Sequence, residues 1–145
     1  MIKRGELILI VFNFLYIIGF AIYYIIRENY EFLVYVGMLL FLFALVTLLH
    51  RRLKFSYTLL WMISIWGLLH MMGGSVYVGE RVLYRWVPVE LYNAGDQFNE
   101  FVILKFDQIL HFYVYMVMTL VLMQGLSRLA HKEAKALHIY IIAVF

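Results

Sequence analysis

Of 145 residues, 66% are hydrophobic and only 14% are charged, against about a quarter charged in a typical soluble domain. No soluble fold of this length hides so much apolar surface, so the solvent of this chain is lipid. The net charge of +3 comes from short basic clusters between apolar runs, with no basic, aromatic-interleaved groove; this points to membrane orientation and away from nucleic acid.

Cysteine is absent, which excludes disulfides, thiolate metal ligands and a cysteine nucleophile. With a single proline and no Gly/Ser-rich or low-complexity linker, residues 1–145 read as one integral membrane domain. The opening, MIKRGELILIVFNFLYIIGFAIYYII, has the basic start of a signal peptide. Its apolar run of about twenty residues is too long for the core of such a peptide, and no small-residue cleavage motif follows. It reads as a retained first span.

A bilayer core needs about 20 apolar residues of helix. The sequence supplies this over Glu6–Ile26, Phe32–His50, Tyr57–Gly74 and Phe106–Leu126, and Ala136–Phe145 begins a fifth span. Ten residues of helix reach only about 15 Å, half of a hydrocarbon core, so this is either a half-span docked on the bundle or, in the favoured reading, a chain shorter than its natural length. The fold class is therefore all-α: a polytopic bundle of four transmembrane helices plus a partial fifth.

Orientation follows from the short loops. Lys3 and Arg4 precede the first span, Arg51, Arg52 and Lys54 follow the second, and Arg128, Lys132 and Lys135 follow the fourth. The loop RENYE and the segment Ser75–Lys105 carry as many acids as bases or more. The N-terminus is expected to be cytoplasmic, the first and third loops outward, and the protein multi-pass in the inner or plasma membrane. The third loop holds Tyr77, Tyr84, Trp86, Tyr92, Phe98 and Phe101. Its partial alternation suggests a short extended ribbon or an interfacial segment: in the simplest reading a membrane-hugging connection, in the sharper one a lid over a site.

Polar residues at membrane depth draw the functional reading. His70 lies one turn before Gly73–Gly74 at the end of the third span, and Asp107 and His111 occupy the first turns of the fourth. A rise of 1.5 Å per residue puts His111 about 6 Å below Asp107, at a level similar to His70. Asp107, His111, Tyr115 and Thr119 are four apart and form one polar stripe. Asn13, Tyr16 and Tyr23 suggest a similar inward face on the first span. Such groups normally face a bundle interior or a wet cavity.

Two imidazoles and a carboxylate suffice to hold a divalent metal such as zinc with a position left for water, which then ionises near neutral pH. Without metal, Asp107 can orient His111 as a base. Either arrangement suits hydrolysis or transfer at a lipid headgroup. The structural alternatives are plain: Asp107 as a helix cap, His111 as its partner, His70 bonded to a carbonyl, and Gly73–Gly74 as a C-cap rather than a close backbone approach. His50, His131 and His138 read as solvated or interfacial, and Trp61 and Trp66 as packing or anchoring residues. No G-x-S-x-G, P-loop or H-E-x-x-H is present.

The stretches LLHMMGGSVYVGERVLY and ILKFDQILHFYVYMVMT resemble the YjdF-like bacterial and archaeal integral membrane proteins, a family known by a domain-of-unknown-function label. The matching positions are His70, Gly73, Gly74, Tyr77, Phe106, Asp107, His111 and Phe112, and the likeness is closest over Leu68–Thr119. The D-x-x-x-H-F element also looks distantly like the VanZ-like membrane proteins. The resemblance implies a polytopic helical protein with later helices that carry further acidic residues, which a fragment would lack or a partner would supply.

Two functions follow as expectations. The first is a membrane protein with an outward-facing site acting on lipid-like substrates. Its ligands or catalytic groups would be His70, Asp107 and His111, with Gly73, Gly74, Tyr77 and Tyr115 in support. The second is a non-enzymatic accessory subunit or scaffold, held to a membrane-protein partner or to copies of itself. A transporter element is less favoured, because the only proline lies in a loop.

Overall fold

Short polar side chains interrupt the apolar runs where helices begin. The computed structural model describes residues 4–90 and 102–129. It contains α1 (Arg4–Ile26), α2 (Tyr30–Leu53), α3 (Tyr57–Gly73) and α4 (Phe106–Leu129). Asn29 caps α2, its Oδ1 accepting from the Phe32 N–H at 3.2 Å, and Ser56 caps α3, its Oγ accepting from the Leu59 N–H at 3.3 Å. Lys54 closes α2 in the left-handed conformation (φ 51°), its N–H returning to the His50 carbonyl at 2.8 Å. At the start of α4 the Lys105 N–H donates to Gln108 Oε1 at 2.9 Å, which is one half of a capping box. The four helices thus fall on the four apolar runs of the sequence, with ends that differ by at most three residues.

Three helices, α1, α2 and α4, are long and apolar enough to cross a membrane by length and composition. The apolar α3 is shorter, with 17 residues against 23, 24 and 24, and spans about 25 Å where a hydrocarbon core measures about 30 Å. The expected fifth span at residues 136–145, together with His131 and His138, lies outside the described residues.

The short helix is the central one: α3 packs most extensively on α4 and α1, and α1 packs also on α2. Tyr16, Ile17 and Tyr24 of α1 meet Val36 and Leu39 of α2 and Met71 of α3 in one core. Phe55, Leu59 and Ile63 meet Val117 of α4 in the other. Most of the remaining large apolar side chains, including Phe14, Phe41 and Leu48, point outward, as lipid-solvated helices require.

With little hydrophobic drive between helices in lipid, small residues and polar pairs fasten the bundle. At Gly67 an added Cβ would meet the Tyr16 hydroxyl at 2.5 Å, so glycine sets that close approach. Asn13 Nδ2 donates to Ser64 Oγ at 2.8 Å and to the Leu9 carbonyl at 2.8 Å. Tyr113 OH donates to the Met62 carbonyl at 3.1 Å, and Ser56 and Gln124 exchange two bonds of 3.0 Å. The inward face expected on the first span is therefore present, since Asn13 reaches α3, Tyr16 is buried, and Tyr23 OH donates to the Ser75 carbonyl at 3.3 Å.

The third loop is partly a ribbon. Strands β1 (Tyr77–Val78) and β2 (Arg81–Val82) form a hairpin, followed by a 3-10 turn (Leu83–Arg85), and β3 (Val89–Glu90) pairs antiparallel with β4 (Val102–Leu104). Gly79 sits first in the two-residue hairpin turn with φ +63°, a conformation that glycine adopts without strain. Tyr92, Phe98 and Phe101 lie outside the described residues.

Of the two readings expected for His50, solvated or interfacial, the solvated one does not hold. In the last turn of α2, its side chain is only 20% exposed, stands 3.8 Å from Glu6 of α1 and stacks on Phe55. The apolar run into which it falls carries it onto the helix interface.

Candidate functional site

Chain connectivity puts the start of α2, the end of α3, the hairpin and the start of α4 at one end of the bundle. A cleft of about 600 Å³ opens between them. His70 of α3 and Asp107 and His111 of α4 line it together. So do residues that the sequence did not assign to the site: Tyr35 of α2, Trp66 of α3, expected only to pack or anchor, and Tyr84 of the 3-10 turn.

His70 is held on three sides by rings. Trp66 stacks on it (centroids 5.6 Å apart, 28° between planes), and Tyr35 and Tyr84 meet it edge-on at 5.5 and 5.9 Å. The Tyr84 hydroxyl lies 2.7 Å from His70 Nδ1 and 2.9 Å from the His70 carbonyl oxygen. A phenol has one proton to give. The arrangement that satisfies both contacts is Nδ1–H donating to the phenol oxygen while the phenol donates to the carbonyl. Nε2 then carries a lone pair. Burial, followed by the negative charge of Asp107, holds the Tyr84 phenol well above the usual tyrosine range, so it remains a donor.

Gly73 and Gly74 make this packing possible. A Cβ on Gly73 would collide with the Tyr84 ring, and one on Gly74 with the Phe32 ring. Gly74 is the C-cap of α3, as the simpler reading expected, but its φ of −95° is open to any residue, so it is the close approach that requires glycine there. Below it, Tyr24 OH donates to the Met71 carbonyl at 2.6 Å and lies 2.5 Å from Ser75 Oγ, pinning the end of α3 to α1.

His111 follows the same logic. Its Nδ1 is 2.8 Å from the Asp107 backbone carbonyl and 3.2 Å from Asp107 Oδ1. A carbonyl only accepts, so Nδ1 carries the proton and Nε2 is again free. The backbone cap of α4 is Gln108, which leaves the Asp107 carboxylate to face His111. The two side chains are 61% and 47% exposed, so solvent screens their attraction.

The remaining expected site residues divide. Tyr77 lines the cleft at its exposed rim. Tyr115 does not reach it and is 70% exposed on the outer side of α4. Residues four apart drift by about 40° per step on a 3.6-residue helix, so the stripe starting at Asp107 has turned away from the core by Tyr115. The Thr119 hydroxyl returns to the Tyr115 carbonyl at 2.9 Å.

As for metal, the donor chemistry is suitable: two Nε2 lone pairs and a carboxylate. The placement is not that of a formed centre. Among the described residues no three His, Cys, Asp or Glu side chains converge closely enough to hold an ion. Trp66 and Tyr84 hold the His70 ring, and the backbone of its own helix holds His111.

Long apolar helices with an outward-turned apolar surface define a helical membrane protein. The chain belongs to the family described as predicted membrane protein (DUF2238), whose model matches residues 8–145. That agrees with the YjdF-like resemblance, and nothing in the match extends to the VanZ-like proteins. No curated protein and no solved structure matches the chain.

Proposed function

We propose that this protein crosses the inner or plasma membrane four times, with the cleft outward, and that the cleft binds the headgroup of a lipid-like substrate for acid–base chemistry. The charge pattern of the loops supports the orientation. The observation that carries the reading is the shared lining: His70, Asp107 and His111, from two helices, meet on one cleft at the end of an apolar bundle.

In that reading His111 Nε2 takes a proton from a water or hydroxyl at the headgroup. Asp107, 3.2 Å from Nδ1, steadies the imidazolium that results. His70, fixed by Tyr84, offers Nε2 as a second acceptor that orients the attacking group. Glu31 and Tyr35 of α2 complete the wall.

The test is lipid turnover in reconstituted membranes, followed by mass spectrometry of the extracted lipids. Wild-type protein should alter a phospholipid pool, and His111→Ala should lower the rate about a hundredfold or more while leaving the protein folded. Equal rates with and without His111 would refute the acid–base reading. Elemental analysis of the same preparations addresses metal: stoichiometric metal in the wild type, lost in His111→Ala, would mean that the side chains turn inward around an ion. Recovery with one constant protein partner and no turnover would favour the accessory-subunit reading.

A further inference from the structure

The walls of the cleft carry a charge and ring pattern that names a ligand class. Phe32, Tyr35, Trp66, Tyr77 and Tyr84 supply the rings. Glu31, in the first turn of α2, and Asp107, in the first turn of α4, supply two carboxylates, and Arg85 is the one guanidinium among the described lining residues. The faces of aromatic rings attract cations, quaternary ammonium above all. The surplus of carboxylate over guanidinium acts in the same direction. Arg85, at the exposed rim, presents the planar fork that pairs with phosphate oxygens. The volume of about 600 Å³ lies within the range usual for small-molecule sites.

We propose that the cleft selects a phosphate ester of an amino alcohol, with the ammonium between the ring wall and the carboxylates of Glu31 and Asp107 and the phosphate on Arg85. This rests on the headgroup reading above and narrows it. The same chemistry occurs in a phospholipid headgroup and in a free phosphoamine. A headgroup without the ammonium, such as phosphoglycerol, brings the phosphate but sets its negative charge beside two carboxylates.

The experiment uses the full chain in maltoside micelles. Phosphatidylethanolamine, phosphatidylglycerol with the same acyl chains, and soluble phosphoethanolamine are titrated separately, and binding is read by native mass spectrometry and thermal shift. Phosphatidylethanolamine should bind about tenfold tighter than phosphatidylglycerol, and Glu31→Gln should remove most of that preference. Glu31 is exposed, so this variant is not expected to disturb folding. Tyr35→Leu should weaken phosphatidylethanolamine binding and Tyr35→Phe should preserve it, because the ring rather than the hydroxyl faces the cation.

Equal or tighter binding of phosphatidylglycerol overturns the ammonium assignment and leaves the headgroup site standing. Binding of soluble phosphoethanolamine without phospholipid retention supports the ligand class and overturns the lipid source. If none of the three binds, both readings fall.

Discussion

The phenol of Tyr84 closes a ring of hydrogen bonds on a single residue, touching both the Nδ1 and the carbonyl oxygen of His70 at 2.7 and 2.9 Å. A loop residue thereby decides which nitrogen of a helical histidine is free. In Tyr84→Phe the bracket is lost while the ring packing remains. Stability should fall by about 1 kcal/mol, as for one hydrogen bond. Nitrogen-15 histidine NMR should show a single tautomer with bare Nε2 for His70 in the wild type and a mixture in the variant. An unchanged His70 signal would mean that the phenol does not set the tautomer.

The same phenol predicts a response to alkali. Its pKa is raised in the folded state above about 10, the value of an unfolded chain. Above pH 10 the unfolded chain releases a proton that the folded chain keeps, so unfolding becomes more favourable as pH rises. The stabilising contribution is complete below pH 10 and is lost through the alkaline range. Thermal denaturation should show this loss in the wild type, and Tyr84→Phe should reduce its slope.

Gly74→Ala places a methyl group against the Phe32 ring, at a φ of −95° that alanine adopts without backbone strain. Overpacking of this kind costs about 1–3 kcal/mol. Detergent-solubilised Gly74→Ala should melt below the wild type, and adding Phe32→Leu should recover part of the loss. Absence of rescue would place the strain elsewhere.

His111→Ala should behave in the opposite way. Both members of its pair with Asp107 are largely exposed, and such pairs contribute little stability. Its melting temperature should stay close to that of the wild type, within about 0.5 kcal/mol, while turnover falls about a hundredfold or more. A variant that unfolds would show His111 to be structural.

Ser64→Ala tests the bond between α1 and α3. Asn13 Nδ2 keeps the Leu9 carbonyl when Ser64 Oγ is removed, and interhelical hydrogen bonds in membranes average about 0.6 kcal/mol. A small drop in thermal stability is expected; a loss several times larger would mean that the Asn13 amide depends on Ser64 for more than one bond.

The helices were legible because lipid leaves so few options: apolar runs of the right length end at Asn29, Ser56 and Lys105, and the structure stops and starts its helices there. His70, Asp107 and His111 were legible for the complementary reason, since polar groups stand out in an apolar run. Tyr84, Tyr35 and Trp66 were not. The chain has 12 tyrosines and 3 tryptophans, and nothing linear separates a ring that brackets His70 from one that anchors in headgroups. Tyr115 misled because a four-residue spacing resembles a straight stripe only over one or two turns. Glu31 was hidden in a loop whose charges mattered to topology alone.

The brevity of α3 has a consequence for the lipid around it. At 17 residues it is about 25 Å long, against a hydrocarbon core of about 30 Å. Set across a bilayer, a rod that short is accommodated by local thinning or by the longer helices packed on it. Bilayers of longer-chain lipids should increase this mismatch and lower the melting temperature, and thinner ones should relieve it.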